Sequence, residues 1–520
     1  MPSSELLLSK RVIISFALTY VSVLVFLLLL GHYQSFYLIG WVALSIFFVV
    51  LFLPLFKDQQ KAYPWLADRS DAMLRFLIFV VAFSLRAIFL FDIPSEKNGI
   101  LSEDLLKYSN KARRVRNGQL PYRDFDTAYG PLHNYLIAIA SFLATKGPDS
   151  KPHVWDYDLA VILMFKLLAC TSDSINSILV LELGRLWKLN RDRAALCAFA
   201  YASNPVSIIE FGWSGHNDAI VIMFMLLSLY AFLRGNEHVS AILLAAGTAM
   251  KYWPGVFILL LVGSLLKKEN GYRRSITYLI VYVVSIFLIS LPYLLVAPVE
   301  FIVGVTHLVR GGGNIYDRLS LISLATDAVV KFVDQQGNRS LIKTSVCVLT
   351  YLVILMFILA FLFTRIRPRR LHVDSLFKSA HFGILILLLI WGYSFAVYAM
   401  VTESPLLIFG IAMFLISLWL LKEEWGNFST IFPISEKTQV LQTEATSELN
   451  EPFLEAIFWT GFFLVLFNAT YHAWYYTWFL PVFFIVLGKV PSYRRLLFLI
   501  LIHIPTSYVT TDLYFRGFLP

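Results

Sequence analysis

Residues 101–135 read LSEDLLKYSNKARRVRNGQLPYRDFDTAYGPLHNY, a charged stretch inside a very apolar chain. Ser102 can cap a helix whose first turn is acidic, and Asn117 followed by Gly118 can end it. An apolar stripe runs along this segment at helical spacing and consists of Leu105, Tyr108, Ala112 and Val115. The pattern predicts one amphipathic helix over residues 103–117.

The polar edge of this helix places one carboxylate beside several cations: Asp104, Lys107, Lys111 and Arg114. Neighbouring cations keep a carboxylate ionised, so that it can accept a proton, and cations can also hold a phosphate. Beyond the helix, Pro121, Gly130 and Pro131 break regular structure. The polar residues in that break are Arg123, Asp124, Asp126 and Tyr129. We therefore expect a functional site on this segment.

The composition is that of an integral membrane protein. Hydrophobic residues make up 58% of the 520 residues and charged residues only 15%, whereas a soluble domain carries about 25% charge. Repeated apolar runs of spanning length predict an all-α, polytopic fold with about 15 transmembrane or re-entrant helices, within a range of about 13 to 17. The net charge of +9 comes mostly from Lys and Arg in short loops, so nucleic acid is not expected as a partner.

The distribution of Lys and Arg also predicts the topology. The N-terminus and the basic segments are expected in the cytoplasm: residues 57–75, 184–193, 267–274 and 365–370. Long loops and polar turns are expected on the other side: 92–130, 171–173, 212–218, 251–254, 299–340 and 471–476. The chain then divides into an N-terminal hairpin with its loop (1–73), a central module that contains the outer loop 92–130 (74–298), and a C-terminal module (299–520) with a polar linker at 422–452.

Several ionisable residues fall in the outward turns, and such groups at membrane depth usually line a cavity. They are Asp173, His216, Asp218, Lys251, Arg310 and His472. No phosphate-binding glycine loop and no zinc-type histidine pair occurs in the sequence, so nucleotide-sugar donors are disfavoured. Cys170, Cys197 and Cys347 lie within apolar runs and are predicted to be packed thiols.

Each of these features also has a plainer interpretation. The basic segment 92–130 fits either a site for anionic headgroups or a helix lying on an anionic leaflet. Asp104 fits a base or a partner of the helix dipole, and Lys251 fits a phosphate ligand or a residue that reaches toward the interface. Arg310, before three glycines, fits an anion site or a flexible loop, and residues 471–476 fit an aromatic belt.

Short motifs follow one another from the first outer loop to the last spans. In chain order they are Glu103-Asp104 with Tyr108, Gly118-x-x-Pro121-Tyr122, Tyr129-Gly130-Pro131-Leu132, Lys166, Asp173, Asn204-Pro205, His216-Asn217-Asp218, Lys251-Tyr252-Trp253-Pro254, and Trp474-Tyr475 before Pro481. This order resembles GT-C glycosyltransferases that use polyprenyl-phosphate sugars. It is most similar to the mannosyltransferases of bacterial phosphatidylinositol mannoside synthesis and to the first mannosyltransferase of GPI-anchor assembly. A hairpin before the catalytic loop and the long linker at 422–452 depart from that pattern.

The resemblance implies an inverting transferase in a bacterial or archaeal plasma membrane or in the endoplasmic reticulum. Mannose would pass from a polyprenyl phosphate to a hydroxyl of a lipid-linked or cell-envelope glycan on the non-cytoplasmic side. The resemblance implies no required cofactor. Asp218 and Asp173 could hold a divalent metal, although their spacing in the sequence does not call for one. The alternative is a lipid or sugar transporter, which would show internal repeats with matching polar breaks, and the sequence shows no such pairing.

The resemblance and the chemistry together assign roles to individual residues. Asp104 is the expected base, and Glu103 is its alternate. The expected ligands of the donor phosphate are Lys251, Arg310, Lys111 and Arg114. The expected contacts of the acceptor or the sugar are Asp126, Tyr129, His216, Asn217, Asp218, His472 and Trp474.

Overall fold

The structure is a computed structural model. It describes residues 69–91, 103–125, 127, 129–145, 158–204, 207–266, 268–309 and 477–489, with single positions at 453, 457 and 461. The chain splits into two compact units, of which the first consists of Met1–Val309 and Thr477–Pro491 and the second of Arg310–Tyr476 and Ser492–Pro520. Every helix named below belongs to the first unit. The division predicted at residues 73 and 298 stays a prediction.

The first unit is helical, and its described ranges contain no strand. Its α-helices are α1 (Asp71–Ala87), α2 (Glu103–Arg116), α3 (Pro131–Ser141), α4 (Leu159–Leu186), α5 (Arg191–Ala202), α6 (Asp218–Leu233), α7 (Glu237–Met250), α8 (Phe257–Leu265), α9 (Gly271–Val296), α10 (Pro298–Val309) and α11 (Leu480–Lys489). A π-helix (Ile208–Trp213) precedes α6, and a 3-10 helix (Trp253–Val256) precedes α8. The all-α class is confirmed for these ranges, and the total of about 15 helices stays a prediction.

Helix α2 confirms the amphipathic helix predicted over residues 103–117. It ends at Arg116, and Gly118 follows with a φ of +86°, a left-handed conformation that glycine adopts without strain. The amide of Gly118 donates a hydrogen bond to the carbonyl of Val115. The apolar stripe packs against α3 and α4, and its fully buried members are Leu105, Tyr108 and Ala112.

The turn predicted at residues 171–173 is wrong. Helix α4 runs without a break for 28 residues, and Asp173 lies fully buried in it. Its carboxylate forms an ion pair with Arg86, whose Nε lies 2.6 Å from Oδ2. A buried charge with a partner costs far less than an isolated one, so these polar residues can remain inside the helix.

The other two polar turns are confirmed as breaks between helices. The π-helix ends at Trp213 and α6 begins at Asp218. Helix α7 ends at Met250, and Lys251 has an extended backbone before the 3-10 helix begins. The side of the membrane that these turns face stays a prediction. Of the cysteines predicted to be packed thiols, Cys170 and Cys197 are buried and free.

Two of the described helices, α4 and α9, are long and apolar enough to cross a membrane. Helix α9 exposes large apolar side chains, among them Ile280 at 56%, Leu288 at 59% and Leu295 at 75%. An exposed apolar surface of this kind is typical of a region that contacts membrane lipid or another protein. Helix α3 has only 11 residues, or about 16 Å, which is too short to cross the hydrocarbon core.

Candidate active site

Two glycines let separate chain segments approach the start of α2. Gly215 has a φ of +63°, and a Cβ there would lie 2.9 Å from Cδ2 of Leu105. Gly130, just before α3, would place a Cβ 2.1 Å from the carbonyl oxygen of Ala249. Because glycine has no Cβ, the turn at 214–217 can pack on α2, and the loop before α3 can pack on the end of α7.

The first polar cluster is a histidine held between two carboxylates. Nδ1 of His216 lies 3.1 Å from Oδ2 of Asp104, and Nε2 lies 3.4 Å from Oε2 of Glu210. The side chains of Asp104, His216 and Glu210 are 18%, 5% and 11% exposed. Asp104 is therefore the member of the cluster that a substrate can reach most easily.

The surroundings of this cluster keep Asp104 ionised. Burial opposes ionisation, but the hydrogen bond and charge of His216, with the charge of Lys107, outweigh it and hold the pKa of the Asp104 carboxyl below its usual value. Burial also lowers the pKa of His216, but the hydrogen bond and charge of Asp104 outweigh it and raise that pKa above its usual value. A carboxylate and a neighbouring imidazolium stabilise each other in this way.

Lys251 and Asp218 form a second charged pair. Nζ of Lys251 lies 3.0 Å from Oδ1 and 2.9 Å from Oδ2 of Asp218. The indole of Trp478 donates a hydrogen bond of 2.8 Å to Oδ1 and stacks on Trp253, with ring centroids 4.5 Å apart. The ammonium is therefore fixed in position beside two stacked aromatic rings.

A series of contacts around Tyr129 brings three predicted site residues together. Nζ of Lys111 lies 4.7 Å from the centroid of the Tyr129 ring. That ring lies 4.2 Å from the ring of His133, centroid to centroid. Nδ1 of His133 lies 2.9 Å from Nδ2 of Asn217. Lys111, Tyr129 and Asn217 thus belong to one neighbourhood.

Arg114 lies away from this neighbourhood. Its Nε donates to Oε1 of Gln119 at 2.5 Å, and its guanidinium lies 4.5 Å from the centroid of the Phe125 ring. It follows Asp104 by about 10 residues, or roughly 15 Å along the helix axis. Its contacts serve the loop after α2.

The remaining predicted site residues fall outside the described part of the chain. Glu103 is the first residue of α2, but its side chain is not among those described. The others are Asp126, Arg310, His472 and Trp474.

Sequence reasoning missed two residues that complete the charged pairs. Glu210 is the single acidic residue in the apolar run IIEFGW. Because an isolated buried charge is costly, this residue could have been predicted as functional from the sequence. Trp478 belongs to an aromatic-rich stretch. The sequence alone does not distinguish a tryptophan of a functional site from the other aromatic residues of an interfacial belt. Neither residue has a local pattern that reveals its partner.

The carboxylates considered as metal ligands are each paired with a cation. Asp173 pairs with Arg86, and Asp218 pairs with Lys251. In the described ranges, no three His, Cys, Asp or Glu side chains come together as a metal-binding group.

Residues 112–267 match the model of a family described as alpha-(1->6)-mannopyranosyltransferase, N-terminal domain. The predicted resemblance to GT-C glycosyltransferases is confirmed. The matched segment contains His216, Asp218 and Lys251, and it begins eight residues after Asp104. No curated protein matches the chain.

Among solved structures, the crystal structure of an oligosaccharyltransferase from Archaeoglobus fulgidus, in the apo form, is similar to the chain. The identity is 13% and the TM-score is 0.33, over 84% of this chain and 55% of the other. The chain therefore spans little more than half the length of that protein.

Proposed function

We propose that the chain is an integral membrane mannosyltransferase with a polyprenyl-phosphate donor. Its acceptor would be a hydroxyl of a lipid-linked or cell-envelope glycan on the non-cytoplasmic side. The match to a mannosyltransferase family supports glycosyl transfer. The observation that carries the proposal is the position of Asp104, a partly exposed carboxylate whose Oδ2 lies 3.1 Å from Nδ1 of His216.

The distance between the site and the basic end of α4 supports an active site at the outer face. Helix α2 packs on the first turns of α4, where Phe165 is part of the shared core. In the last turn of α4, Arg185 pairs with Asp71 at the start of α1, with Nη2 2.8 Å from Oδ1. About 20 residues separate Phe165 from Arg185, or about 30 Å of helix, which is close to the thickness of the hydrocarbon core. If the basic end is cytoplasmic, the site lies at the opposite face.

The reaction begins when the acceptor hydroxyl attacks the anomeric carbon of mannose while Asp104 takes the hydroxyl proton. The bond between that carbon and the phosphate oxygen breaks, and its electron pair leaves with the polyprenyl phosphate. Attack from the side opposite the leaving group inverts the anomeric configuration.

The leaving phosphate needs cations that are already in place. Lys251 would meet it as an ammonium that Asp218 holds, so that little side-chain freedom is lost on binding. Lys111 and Arg310 are the other proposed ligands, whereas the contacts of Arg114 with Gln119 and Phe125 hold it at the loop after α2. The proposed contacts of the acceptor or the sugar are Tyr129, Asn217, Asp218, His216, Asp126, His472 and Trp474.

The test is transfer by the purified protein from synthetic polyprenyl-phosphate mannose to extracted membrane glycolipids, with no nucleotide sugar present. We expect a mannosylated lipid in the mass spectrum and release of polyprenyl phosphate. Turnover that requires a nucleotide sugar, with the lipid donor inert, would contradict the proposal. Movement of the lipid donor across vesicles without any product would favour the transporter.

A further inference from the structure

His216 links the expected base to a second carboxylate from another chain segment. Asp104 comes from the first turn of α2, whereas Glu210 comes from the π-helix. Each carboxylate faces a different ring nitrogen of His216, at 3.1 Å and 3.4 Å. A histidine with both nitrogens engaged in this way is held in one ring orientation.

The backbone fixes Glu210 and His216 relative to each other. The amide of His216 donates a hydrogen bond of 3.1 Å to the carbonyl of Glu210, and the amide of Ser214 donates one of 2.9 Å to the carbonyl of Ile209. Gly212, between them, packs so closely on α1 that a Cβ would lie 2.8 Å from the carbonyl oxygen of Arg86. π-helical turns are rare and occur often at functional sites.

We propose that Glu210 is a positioning residue for the base and acts through His216. This inference rests on the proposed function, in which Asp104 is the base. A neutral imidazole has one N–H and can donate to only one of the two carboxylates. With Glu210 present, its carboxylate lies 3.4 Å from Nε2 and holds the ring from that side, so that Nδ1 stays directed at Oδ2 of Asp104. Without Glu210, the imidazole loses the partner that fixes its tautomer and its ring plane.

The charges around the cluster determine how it responds to pH. His216 faces Asp104, Glu210 and Asp218, whose charges together oppose the effect of burial. Asp104 also faces the positive charges of Lys107 and Lys251. Burial lowers the pKa of His216 and these carboxylates raise it, so removing Glu210 should move that pKa downward. Activity that needs the imidazolium would then be lost at a lower pH.

The experiment compares the pH profile of kcat for the wild type with that of Glu210→Gln, in the transfer assay with polyprenyl-phosphate mannose. We expect kcat to fall on the order of 10-fold and the alkaline limb to move to lower pH. Glu210→Asp keeps the charge and should restore the position of that limb. A matched control is Glu182→Gln, which removes a partly exposed glutamate paired with Arg75 and should leave the profile unchanged.

A double-variant cycle separates positioning from a role in folding. His216→Asn keeps an amide that can donate to Asp104 but removes the link to Glu210. In that background Glu210→Gln should have no further effect on kcat, because the route through the ring is already lost. Losses that multiply, or an alkaline limb that stays in place in Glu210→Gln, would overturn the inference. If Glu210→Gln does not fold, Glu210→Asn, which is smaller and also removes the charge, takes its place in the cycle with the same expected results.

Asp104→Asn in the same assay distinguishes failure of the positioning role of Glu210 from failure of the assignment of Asp104 as the base. If Asp104→Asn is inactive and Glu210→Gln has the wild-type profile, only the positioning role of Glu210 fails. If Asp104→Asn is fully active, the assignment of the base fails first.

Discussion

The ammonium of Lys251 lies 2.9 Å from Oδ2 of Asp218, and the Asp218 side chain is only 1% exposed. This pair joins the first residue of α6 to the residue that follows α7. It has a structural task, because it neutralises a buried carboxylate, and a proposed catalytic one, because it presents a cation to the donor phosphate.

Variants of this pair can separate the two tasks. Lys251→Met should destabilise the protein by about 3 kcal/mol, because it leaves the buried carboxylate without its partner. Lys251→Met combined with Asp218→Asn should recover most of that stability but remain at least about 100-fold slower in transfer, because the phosphate ligand is still missing. Thermal unfolding in detergent and product formation measure the two effects. A double variant that is stable and fully active would restrict the pair to folding.

Gly215→Ala should separate the turn at 214–217 from α2. The new Cβ would lie 2.9 Å from Cδ2 of Leu105. The turn would have to shift, so Nδ1 of His216 should move out of hydrogen-bond distance of Oδ2 of Asp104. Gly235→Ala is a matched control, because Gly235 also has a positive φ, +82°, but has no atom within 4 Å of an added Cβ. Both variants should lose about 1 kcal/mol of stability from backbone strain. Only Gly215→Ala should also lose turnover, and equal turnover in the two variants would speak against the packing role of this glycine.

Thiol labelling tests the membrane sidedness. Asn117 and Arg273 are exposed in the structure, and they belong to segments expected on opposite sides. In a Cys347→Ser background, where Cys170 and Cys197 are buried, a membrane-impermeant maleimide added to intact cells should label Asn117→Cys. Arg273→Cys should react only after the cells are opened. Labelling of Asn117→Cys only in opened cells would place the proposed site in the cytoplasm.

The sequence predicts α2 well because all of its determinants are local. The apolar stripe, the acidic start and Gly118 fall within one short segment, and helix ends depend on such neighbours. The breaks at 214–217 and at Lys251 are predictable for the same reason, since polar residues and Pro254 interrupt apolar runs. The GT-C resemblance adds the order of the motifs, of which those from Gly118 to Pro254 lie within the family match over residues 112–267.

The errors come from contacts between residues far apart in the chain. Asp173 suggested a turn because its partner Arg86 lies 87 residues away, and without that partner a charge inside a helix is costly. The pairing of Lys251 with Asp218 was not predicted, because nothing local in the sequence shows it. Glu210 was not predicted as a site residue. Its proposed role depends on its contact with His216, which forms only because the turn at 214–217 brings the two side chains together.

Turnover of Asp104→Asn, compared with that of Glu103→Gln, tests the central claim that Asp104 is the base. The two residues are about 100° apart on α2, so they cannot both face the same hydroxyl. Asp104→Asn preserves the shape of the side chain and removes the proton acceptor, so transfer from polyprenyl-phosphate mannose should fall by roughly 10² to 10⁴ while folding is retained. Glu103→Gln should keep most of its activity. Near-full turnover in Asp104→Asn together with an inactive Glu103→Gln would contradict the account.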